Sequence, residues 1–489
     1  TMTRTQSLLR ARTWVLAVAL LASSQFACQA APGPLLAEPV AHRVYQRDLE
    51  GRGEISVVLN PELKGATLES ATLFPLAAGT YRFADGKLSG VPTGGPYFLN
   101  ADVKVDGNVH RVQAGPFFVG DLWVLAGQSN MQGYGDLVDV TPPDAKVMAL
   151  ENDGTWGEAK EPLHHWLLNP QAQKVQPKGS GLGLPFAKLL VHETNIPIGL
   201  LPCAVGGTSM EQWDPAKKNQ GRSSLYGSML SQIERAGGRV KGLLWYQGEA
   251  ESSEANSKIY GKVFHAFIAA VRNDLHQPDL PFYLVQLGRF AVLNEAACKY
   301  WNAVQEVQRK IPEQIPHTAV VPAVDLELDD GIHIGTQGQI RLGHRLARVA
   351  LRELYGRPGG SALDLESVTK GPQHTLIVKF KGVNIESSAA GMPAMSMRRH
   401  GFTTEAIGLQ PARHIAGFSI RNEEGTEVLP IFDARVAVSG DSVVLKLTGD
   451  IPKKAQLWYG RGHNPYCNLT DSVDMAAPVF GPIPLDAVK

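Results

Sequence analysis

Four apolar, strand-like runs of this sequence are each followed directly by polar residues that could take part in ester hydrolysis. In an open parallel sheet, ligands bind beyond the carboxyl ends of the strands, so we expect these residues to meet at one edge. Esterase chemistry needs a nucleophile, a base with an acid that orients it, and donors for the developing oxyanion. The four segments supply a hydroxyl, a glycine turn, an amide and an Asp/His pair: GQSNM (127–131), VGGT (205–208), QGE (247–249) and DDGIH (329–333).

Each segment also has an ordinary structural explanation when it is taken alone. A serine in a glycine turn usually caps a helix or completes the turn, and a glycine pair usually makes a tight turn. The QGE segment could simply begin a helix, where the macrodipole favours a carboxylate. The serine segment also lacks the Gly-x-Ser-x-Gly elbow of α/β-hydrolases, which argues against that fold. The catalytic interpretation therefore depends on finding all four segments at strand ends in this order.

Strand-like and helical segments alternate through the middle of the chain, which predicts the sheet that positions these residues. The alternation favours an α/β fold with a flavodoxin-like, doubly wound parallel sheet. The predicted strands cover 123–126, 196–204, 240–247, 281–288 and 318–326, and the predicted helices cover 184–193, 223–236, 258–275, about 296–310 and 337–354.

Short strand-like segments separated by Gly, Pro and Asp-Gly turns flank this region on both sides. They predict β-sandwich-like domains at the amino- and carboxyl-terminal ends. The predicted boundaries are 1–30 for a signal peptide, 38–118 for the first β domain, 119–357 for the catalytic domain and 360–489 for the second β domain.

Composition excludes several functional classes and leaves an ordinary globular protein. Lys+Arg and Asp+Glu both number 47, so the net charge is zero, which argues against nucleic acid as a partner. Beyond the amino-terminal segment no stretch is long and apolar enough for a membrane span.

Three cysteines follow the predicted leader, Cys203, Cys298 and Cys467. Their odd number and long spacings favour buried thiols over a metal or redox site, with a single disulfide as the alternative.

The amino-terminal residues resemble a secretory signal peptide. Arg4, Arg10 and Arg12 precede the uncharged apolar run 14–22, which is too short to span a bilayer, and Ala30 is the expected cleavage point. We therefore expect a secreted or periplasmic protein. The alternative is lipoprotein anchoring through Cys28, although the residues before it are a poor context for lipidation.

The four segments, taken with their surroundings, resemble the SASA branch of the SGNH/GDSL hydrolase superfamily, which contains sialate O-acetylesterases and acetylxylan-esterase-like carbohydrate esterases. The resemblance extends from about residue 80 to about residue 480 and is most specific in the GQSNM, QGE and DGIH blocks. Its matching stretches are GGPY (94–97), VGDLWVLAGQSNM (119–131), AVGGTSMEQW (204–213), WYQGEAE (245–251), DGIHIGTQGQIRLGHRLA (330–347) and LWYGRGHNPYCNL (457–469).

The resemblance implies a role for each candidate site residue. Ser129 becomes the nucleophile, His333 the base and Asp330 the acid that orients the imidazole. The oxyanion hole would consist of the backbone N–H groups of Ser129 and Gly207 and the side-chain amide of Gln247, which stands where the more familiar SGNH pattern has asparagine.

Two of these assignments have alternatives in the sequence. Gly206 could donate to the oxyanion in place of its neighbour, because the glycine pair is ambiguous without coordinates. Glu249 and Asp329 could each supply the acid in place of Asp330.

The function implied is hydrolysis of O-acetyl esters on carbohydrate through an acyl-serine intermediate, with no metal or organic cofactor. Two alternatives remain: a broad-specificity short-chain carboxylesterase, and a non-catalytic carbohydrate-binding protein on an esterase scaffold. The sequence does not distinguish which acetylated sugar is the substrate. The walls of the pocket determine that choice, and segments such as residues 134–182 contain no motif that identifies a sugar.

Overall fold

The computed structural model describes residues 34–77, 79–164, 178–292, 297–384, 395–397 and 414–488. The predicted signal peptide and Cys28 lie outside the described residues, so export and lipidation stay predictions. Within the described ranges, the chain forms an α/β domain with a large sheet, flanked by β structure on both sides. The predicted fold class is confirmed.

The central sheet has the strand order β12-β11-β14-β9-β15-β16-β17. All neighbours along this path are parallel except β12, which is an antiparallel edge strand beside β11. After β9 in the middle, the chain forms β11 and the edge strand β12, returns to place β14 between β11 and β9, and then crosses to β15 on the other side. The strands are β9 (Asn108–Gly127), β11 (Val147–Leu150), β12 (Trp156–Glu158), β14 (Ile198–Pro202), β15 (Gly242–Tyr246), β16 (Phe282–Gln286) and β17 (Thr318–Pro322).

Helices cover both faces of this sheet because its strands are apolar on both sides. In register, Trp123 lies opposite Gly242 and Trp245 lies opposite Ala126, so the two indoles occupy opposite faces. Trp123 packs edge-on against Phe186 of α2, and Trp245 packs against Phe267 of α4. The helices are α1 (Ser129–Gln132), α2 (Gly183–Thr194), α3 (Leu225–Arg235), α4 (Glu254–Asp274), α5 (Cys298–Gln314) and α6 (Thr336–Leu354), with 3-10 segments at Pro215–Ser223 and Glu249–Glu251.

The amino-terminal β domain shares a strand with the central sheet. β9 is 20 residues long: its first half pairs antiparallel with β8, and its second half lies between β14 and β15. The predicted domain boundary between residues 118 and 119 therefore falls inside one continuous strand. The other strands of this part are β1 (Leu36–Glu38), β2 (Val44–Gln46), β3 (Arg52–Ser56), β4 (Val58–Leu59), β5 (Thr67–Phe74), β6 (Arg82–Ala84), β7 (Lys87–Pro92) and β8 (Gly94–Val105).

The carboxyl-terminal region contains two four-stranded antiparallel sheets, ordered β18-β19-β24-β23 and β22-β21-β25-β27, and β20 pairs with β26. Two short strands of the catalytic domain, β10 (Gly135–Asp136) and β13 (Lys178–Ser180), pair with each other. The remaining strands are β18 (Asp364–Gly371), β19 (Thr375–Lys381), β20 (Met395–Met397), β21 (Phe418–Arg421), β22 (Glu427–Leu429), β23 (Ile431–Val436), β24 (Ser442–Leu447), β25 (Gln456–Tyr459), β26 (Leu469–Asp471) and β27 (Phe480–Pro484).

A buried ion cluster joins this region to the catalytic domain. Arg345 of α6 is fully buried; its guanidinium donates to both carboxylate oxygens of Asp325 at 2.7 and 2.6 Å and to Asp474 at 3.2 Å. Arg341 contacts the same two carboxylates. Because a buried charge is costly unless it is paired, these contacts fix α6 against the loop that carries Asp474.

Two other predictions can be compared with this structure. Cys203, Cys298 and Cys467 are buried thiols, and no disulfide joins them. Among the helices that the structure describes, none combines the length and apolar character that a membrane crossing requires.

Candidate active site

Ser129 lies at the carboxyl end of the central strand, where β9 turns into the short helix α1. The turn requires glycine at position 127, which has a φ of 134°, and a Cβ there would come within 2.2 Å of the Tyr246 carbonyl oxygen. The backbone N–H of Gln128 then donates to that same carbonyl at 2.9 Å. Because the serine begins a helix, its own N–H has no intrahelical acceptor.

The structure brings Ser129, His333 and Asp330 into one hydrogen-bonded chain. The distance from Ser129 Oγ to His333 Nε2 is 3.0 Å, and His333 Nδ1 lies 2.7 Å from Asp330 Oδ2. If Nδ1 carries the proton and donates to the carboxylate, Nε2 is left as an acceptor for the serine hydroxyl. The arrangement is that of a nucleophile, a base and an orienting acid.

Backbone groups of its own loop hold the Asp330 carboxylate in this position. Its Oδ1 accepts the backbone N–H groups of Ile332 at 2.9 Å and His333 at 2.8 Å, so one carboxylate both forms the turn and orients the imidazole. Partial burial raises the pKa of Asp330, but these two N–H groups and the imidazole outweigh burial and hold the pKa below its ordinary value. The carboxylate is therefore ionised at neutral pH and can stabilise a protonated His333.

The other two candidate acids contact different groups. Glu249 Oε1 accepts from the side-chain amide of Asn130 at 2.8 Å, and Asp329 Oδ2 accepts the backbone N–H groups of Asp136 at 2.8 Å and Thr336 at 3.3 Å. Of the three carboxylates, only Asp330 is hydrogen-bonded to His333. In this geometry Glu249 and Asp329 hold neighbouring segments of the site in place and do not orient His333.

Asn130 connects the nucleophile's helix to the histidine loop. Besides its contact with Glu249, the Asn130 side chain donates to the Ile332 carbonyl at 3.3 Å and accepts the Ile334 N–H at 3.0 Å. The residues on either side of His333 are thus held by the residue that follows Ser129. Asn130 belongs to the predicted serine segment but had no predicted role there, although its place beside the nucleophile was a usable signal.

Glu249 is buried, and burial raises its pKa to about 7. The hydrogen bond from Asn130 and nearby backbone N–H groups lower the pKa only in part. Its second oxygen, Oε2, is buried without a hydrogen-bond partner in the described residues. The group therefore changes charge in the neutral pH range while it holds Asn130.

Two backbone N–H groups remain available for an oxyanion next to Ser129. The N–H of Gly206 donates to Gln132 Oε1 at 2.8 Å, and a Cβ added at Gly206 would lie 3.5 Å from that of Ser129. Gly207, by contrast, is exposed with a φ of 70°, and no acceptor in the described part of the chain engages its N–H or that of Ser129. The geometry favours Gly207 over Gly206.

The structure places the Gln247 amide away from its predicted oxyanion position. Gln247 is fully buried, and its Nε2 donates to the Thr208 carbonyl at 3.3 Å and to Glu251 Oε1 at 3.1 Å. Both amide hydrogens are thereby engaged, because a carboxamide has only two. Gln247 therefore stabilises the loop of Gly206 and Gly207 through the carbonyl of the next residue, Thr208.

Two further side chains approach the catalytic groups from a loop and a short strand for which the sequence predicts no function. The ring of Tyr134 stacks on the His333 imidazole with a centroid distance of 4.3 Å. The Lys178 ammonium lies 3.2 Å from Asp136 Oδ1 and 3.8 Å from Asp330 Oδ2. Neither residue follows a strand of the central sheet, so strand-end reasoning could not identify them.

Residues 119–352 match the family model described as carbohydrate esterase, sialic acid-specific acetylesterase. The chain is 30% identical over 253 residues to an Arabidopsis thaliana protein named as a probable carbohydrate esterase, a match that covers 47% of this chain and 90% of that protein. It is 24% identical over 237 residues to the sialate O-acetylesterase of Homo sapiens, of which it spans 45%, with 40% of this chain covered.

A solved structure with a similar fold is that of a carbohydrate acetylesterase from Xanthomonas citri. The TM-score is 0.63 at 23% sequence identity, and the match covers 91% of this chain and 98% of that chain. At this level of identity the likeness concerns the fold, including the β structure on both sides of the central sheet.

Proposed function

Since this chain belongs to the carbohydrate esterase family of sialic acid-specific acetylesterases, we propose that it hydrolyses O-acetyl esters of sugars, with sialate as the leading substrate, through an acyl-serine intermediate at Ser129. The observation that carries the mechanism is the hydrogen-bonded chain from Ser129 through His333 to Asp330 at the carboxyl end of the central strand. A binding protein without catalysis would have no use for this chain of contacts.

In the first half of the reaction, Ser129 Oγ attacks the acetyl carbonyl carbon while His333 Nε2 takes the hydroxyl proton. The tetrahedral oxyanion accepts hydrogen bonds from the N–H groups of Ser129 and Gly207, and Asp330 stabilises the imidazolium that has formed. The sugar oxygen leaves with the proton from Nε2. The products at this stage are the free sugar hydroxyl and an acetyl group on Ser129.

In the second half, water attacks the acetyl carbonyl carbon and His333 accepts the proton that water loses. The same two N–H groups hold the second oxyanion. Ser129 Oγ then leaves and regains its proton from Nε2, so acetate is released and the enzyme returns to its starting state.

The test is acetate release from an O-acetylated sialic acid by the wild-type chain and by Ser129→Ala. We expect kcat/KM to fall roughly a thousandfold or more in the variant, because the nucleophile is lost while the turn keeps a small residue. Ser89→Ala, an exposed serine of β7, is the matched control and should keep full activity.

A serine-reactive phosphonate gives an independent measurement. Mass spectrometry of the labelled wild-type chain should place the adduct on Ser129, and Ser129→Ala should remain unlabelled. An adduct on a different serine, or undiminished acetate release by Ser129→Ala, would exclude the mechanism.

A further inference from the structure

A two-stranded ribbon, formed by β10 and β13, packs against the histidine loop of the active site. The backbone N–H of Asp136 donates to Asp329 Oδ2 at 2.8 Å, and the Thr336 hydroxyl donates to the Asp136 carbonyl. A Cβ added at Gly135 would lie 2.9 Å from the Thr336 backbone nitrogen, so the contact leaves no room for a side chain. The ribbon is therefore held on both sides of His333, which lies between Asp329 and Thr336 in the sequence.

Tyr134, the residue that leads into this ribbon, covers one face of the catalytic imidazole. The planes of the Tyr134 and His333 rings are inclined by only 21° at a centroid distance of 4.3 Å, so the two rings are stacked. The hydrogen bonds of the imidazole to Ser129 and Asp330 use its two ring nitrogens and leave its faces open. The stacking is therefore a third contact of the base, independent of the nucleophile and the orienting acid.

This contact favours the charged form of the imidazole. The face of an aromatic ring carries partial negative charge and attracts a cation placed above it. His333 becomes such a cation when it takes the proton of the Ser129 hydroxyl. The Tyr134 ring therefore stabilises the imidazolium more than the neutral imidazole, and the gain is realised in the transition state.

Lys178, on the other strand of the ribbon, places a positive charge beside the orienting acid. Its ammonium lies 3.2 Å from Asp136 Oδ1 and 3.8 Å from Asp330 Oδ2, and it donates to the Tyr134 carbonyl at 3.4 Å. Since only 19% of the side chain is exposed, solvent screens this charge in part. The ammonium offsets some of the negative charge that Asp330 presents to the imidazole, which disfavours a positive charge on His333.

Other charged residues also surround the histidine loop, and none of them is replaced in the variants described below. Glu249 contacts this loop through Asn130, and the Arg289 guanidinium donates to the Leu326 carbonyl at 3.0 Å. Differences between the variants and the wild type therefore report on the ring and the ammonium of the ribbon. The surrounding charged residues are Asp136, Glu249, Arg289, Glu327, Asp329 and Asp330.

We propose that Tyr134 and Lys178 are positioning residues that tune His333 in opposite directions, the ring stabilising the imidazolium and the ammonium destabilising it. The inference rests on the proposed esterase function and assigns two further residues to its site. The ring supports proton transfer from Ser129, whereas the ammonium keeps the imidazole unprotonated, and so able to accept that proton, at lower pH. Neither effect depends on which sugar carries the acetyl group.

The test is the pH dependence of kcat/KM for p-nitrophenyl acetate, an uncharged substrate, measured as acetate release at low ionic strength. The acid limb of this profile reports protonation of the base. Tyr134→Leu keeps an apolar cover without an aromatic face, so it should move the limb to lower pH by about half a unit to one unit and lower the plateau about threefold or more. Lys178→Met keeps the stem without the charge, so it should move the limb to higher pH by about half a unit.

Conservative variants separate these effects from a structural role. Tyr134→Phe keeps the stacked face and Lys178→Arg keeps the charge, so both should retain the wild-type profile. Tyr300→Leu and Lys188→Met are the matched controls, since they remove a tyrosine and a lysine from partly exposed positions of α5 and α2, and they too should leave the profile unchanged. Melting temperatures show whether each variant folds, and Tyr134→Met and Lys178→Gln replace a first variant that does not.

Shifts of the acid limb in opposite directions support the inference, because loss of packing alone would not give the two variants opposite signs. Absence of either shift, shifts in the same direction, or a Tyr134→Phe profile that matches Tyr134→Leu would overturn it. An enzyme that releases acetate but lacks these shifts refutes only the tuning of His333. A wild-type chain that releases acetate neither from p-nitrophenyl acetate nor from an O-acetylated sialic acid refutes the esterase itself.

Discussion

Replacing Glu249 by glutamine separates two roles that the sequence alone left open for this carboxyl group. In the structure Glu249 accepts a hydrogen bond from Asn130 and does not contact His333. A glutamine keeps the accepting oxygen and the side-chain volume but cannot ionise. We therefore expect kcat in Glu249→Gln to stay within about tenfold of wild type, whereas loss of a triad acid costs up to about four decades.

The stability of this variant should depend on pH in a direction set by the raised pKa. Between the ordinary value of 4.5 and about 7, the folded chain keeps a proton on Glu249 that the unfolded chain has lost. The free energy of unfolding of the wild type therefore falls as pH rises through this interval. The total loss is about 3 kcal/mol. Glu249→Gln lacks this loss, so its advantage over wild type should grow by up to about 3 kcal/mol from pH 4.5 to pH 8.

The assay is the melting temperature of both chains across pH 4.5 to 8, combined with kcat for acetate release at pH 8. The variant should gain a few degrees relative to wild type over this range. Glu251→Gln, another buried glutamate two residues away, shows whether the loss of any carboxyl group in this segment has the same effect. A variant that melts like wild type at every pH but loses kcat a hundredfold or more would refute the reasoning and return Glu249 to the role of acid.

Three other substitutions test neighbouring parts of the structure. Asp330→Asn should lower kcat/KM by up to about four decades with little change in melting temperature, and near-wild-type kinetics would remove Asp330 from the mechanism. Gln247→Leu should lower the melting temperature by several degrees, because the Thr208 carbonyl loses a buried donor, yet keep kcat within about tenfold; a hundredfold loss of kcat in a stable variant would restore the oxyanion role. Arg345→Met should destabilise the fold by about 3 kcal/mol in denaturant unfolding, because the buried Asp325 carboxylate would keep only Arg341 as a cationic partner, and an unchanged transition would contradict that account.

The convergence of Ser129, Asp330 and His333 could be predicted because parallel strands end at a common edge, so residues distant in sequence meet there. The direction of Gln247 could not be predicted in the same way. A residue just past a strand end can point to either side of the turn, and here the buried Glu251 carboxylate and the Thr208 carbonyl determine the side. Tyr134 and Lys178 belong to a loop and a short strand without periodicity, so their approach to the histidine loop is visible only in three dimensions.

The predicted domain boundary within β9 has a comparable physical cause. Gly120 and Asp121 interrupt the apolar pattern beside the predicted boundary, as the residues of a turn between two strands would. In the structure Asp121 is fully buried inside the strand, where both carboxylate oxygens accept from the Arg47 guanidinium at 3.0 Å. A charge paired with a residue 74 positions earlier cannot be distinguished from a turn by local composition.

The continuity of β9 also has a consequence for how this chain acquires its shape. The strand at the middle of the catalytic sheet is synthesised first, but its two partners there, β14 and β15, end at Pro202 and Tyr246. Its apolar second half must therefore wait for about 120 residues of further synthesis before both edges are paired, and such distant pairing slows folding. During that interval the antiparallel pairing with β8 can already hold its first half, since β8 precedes it directly. The amino-terminal β domain would then serve as a template that anchors the central strand until the rest of the sheet assembles around it.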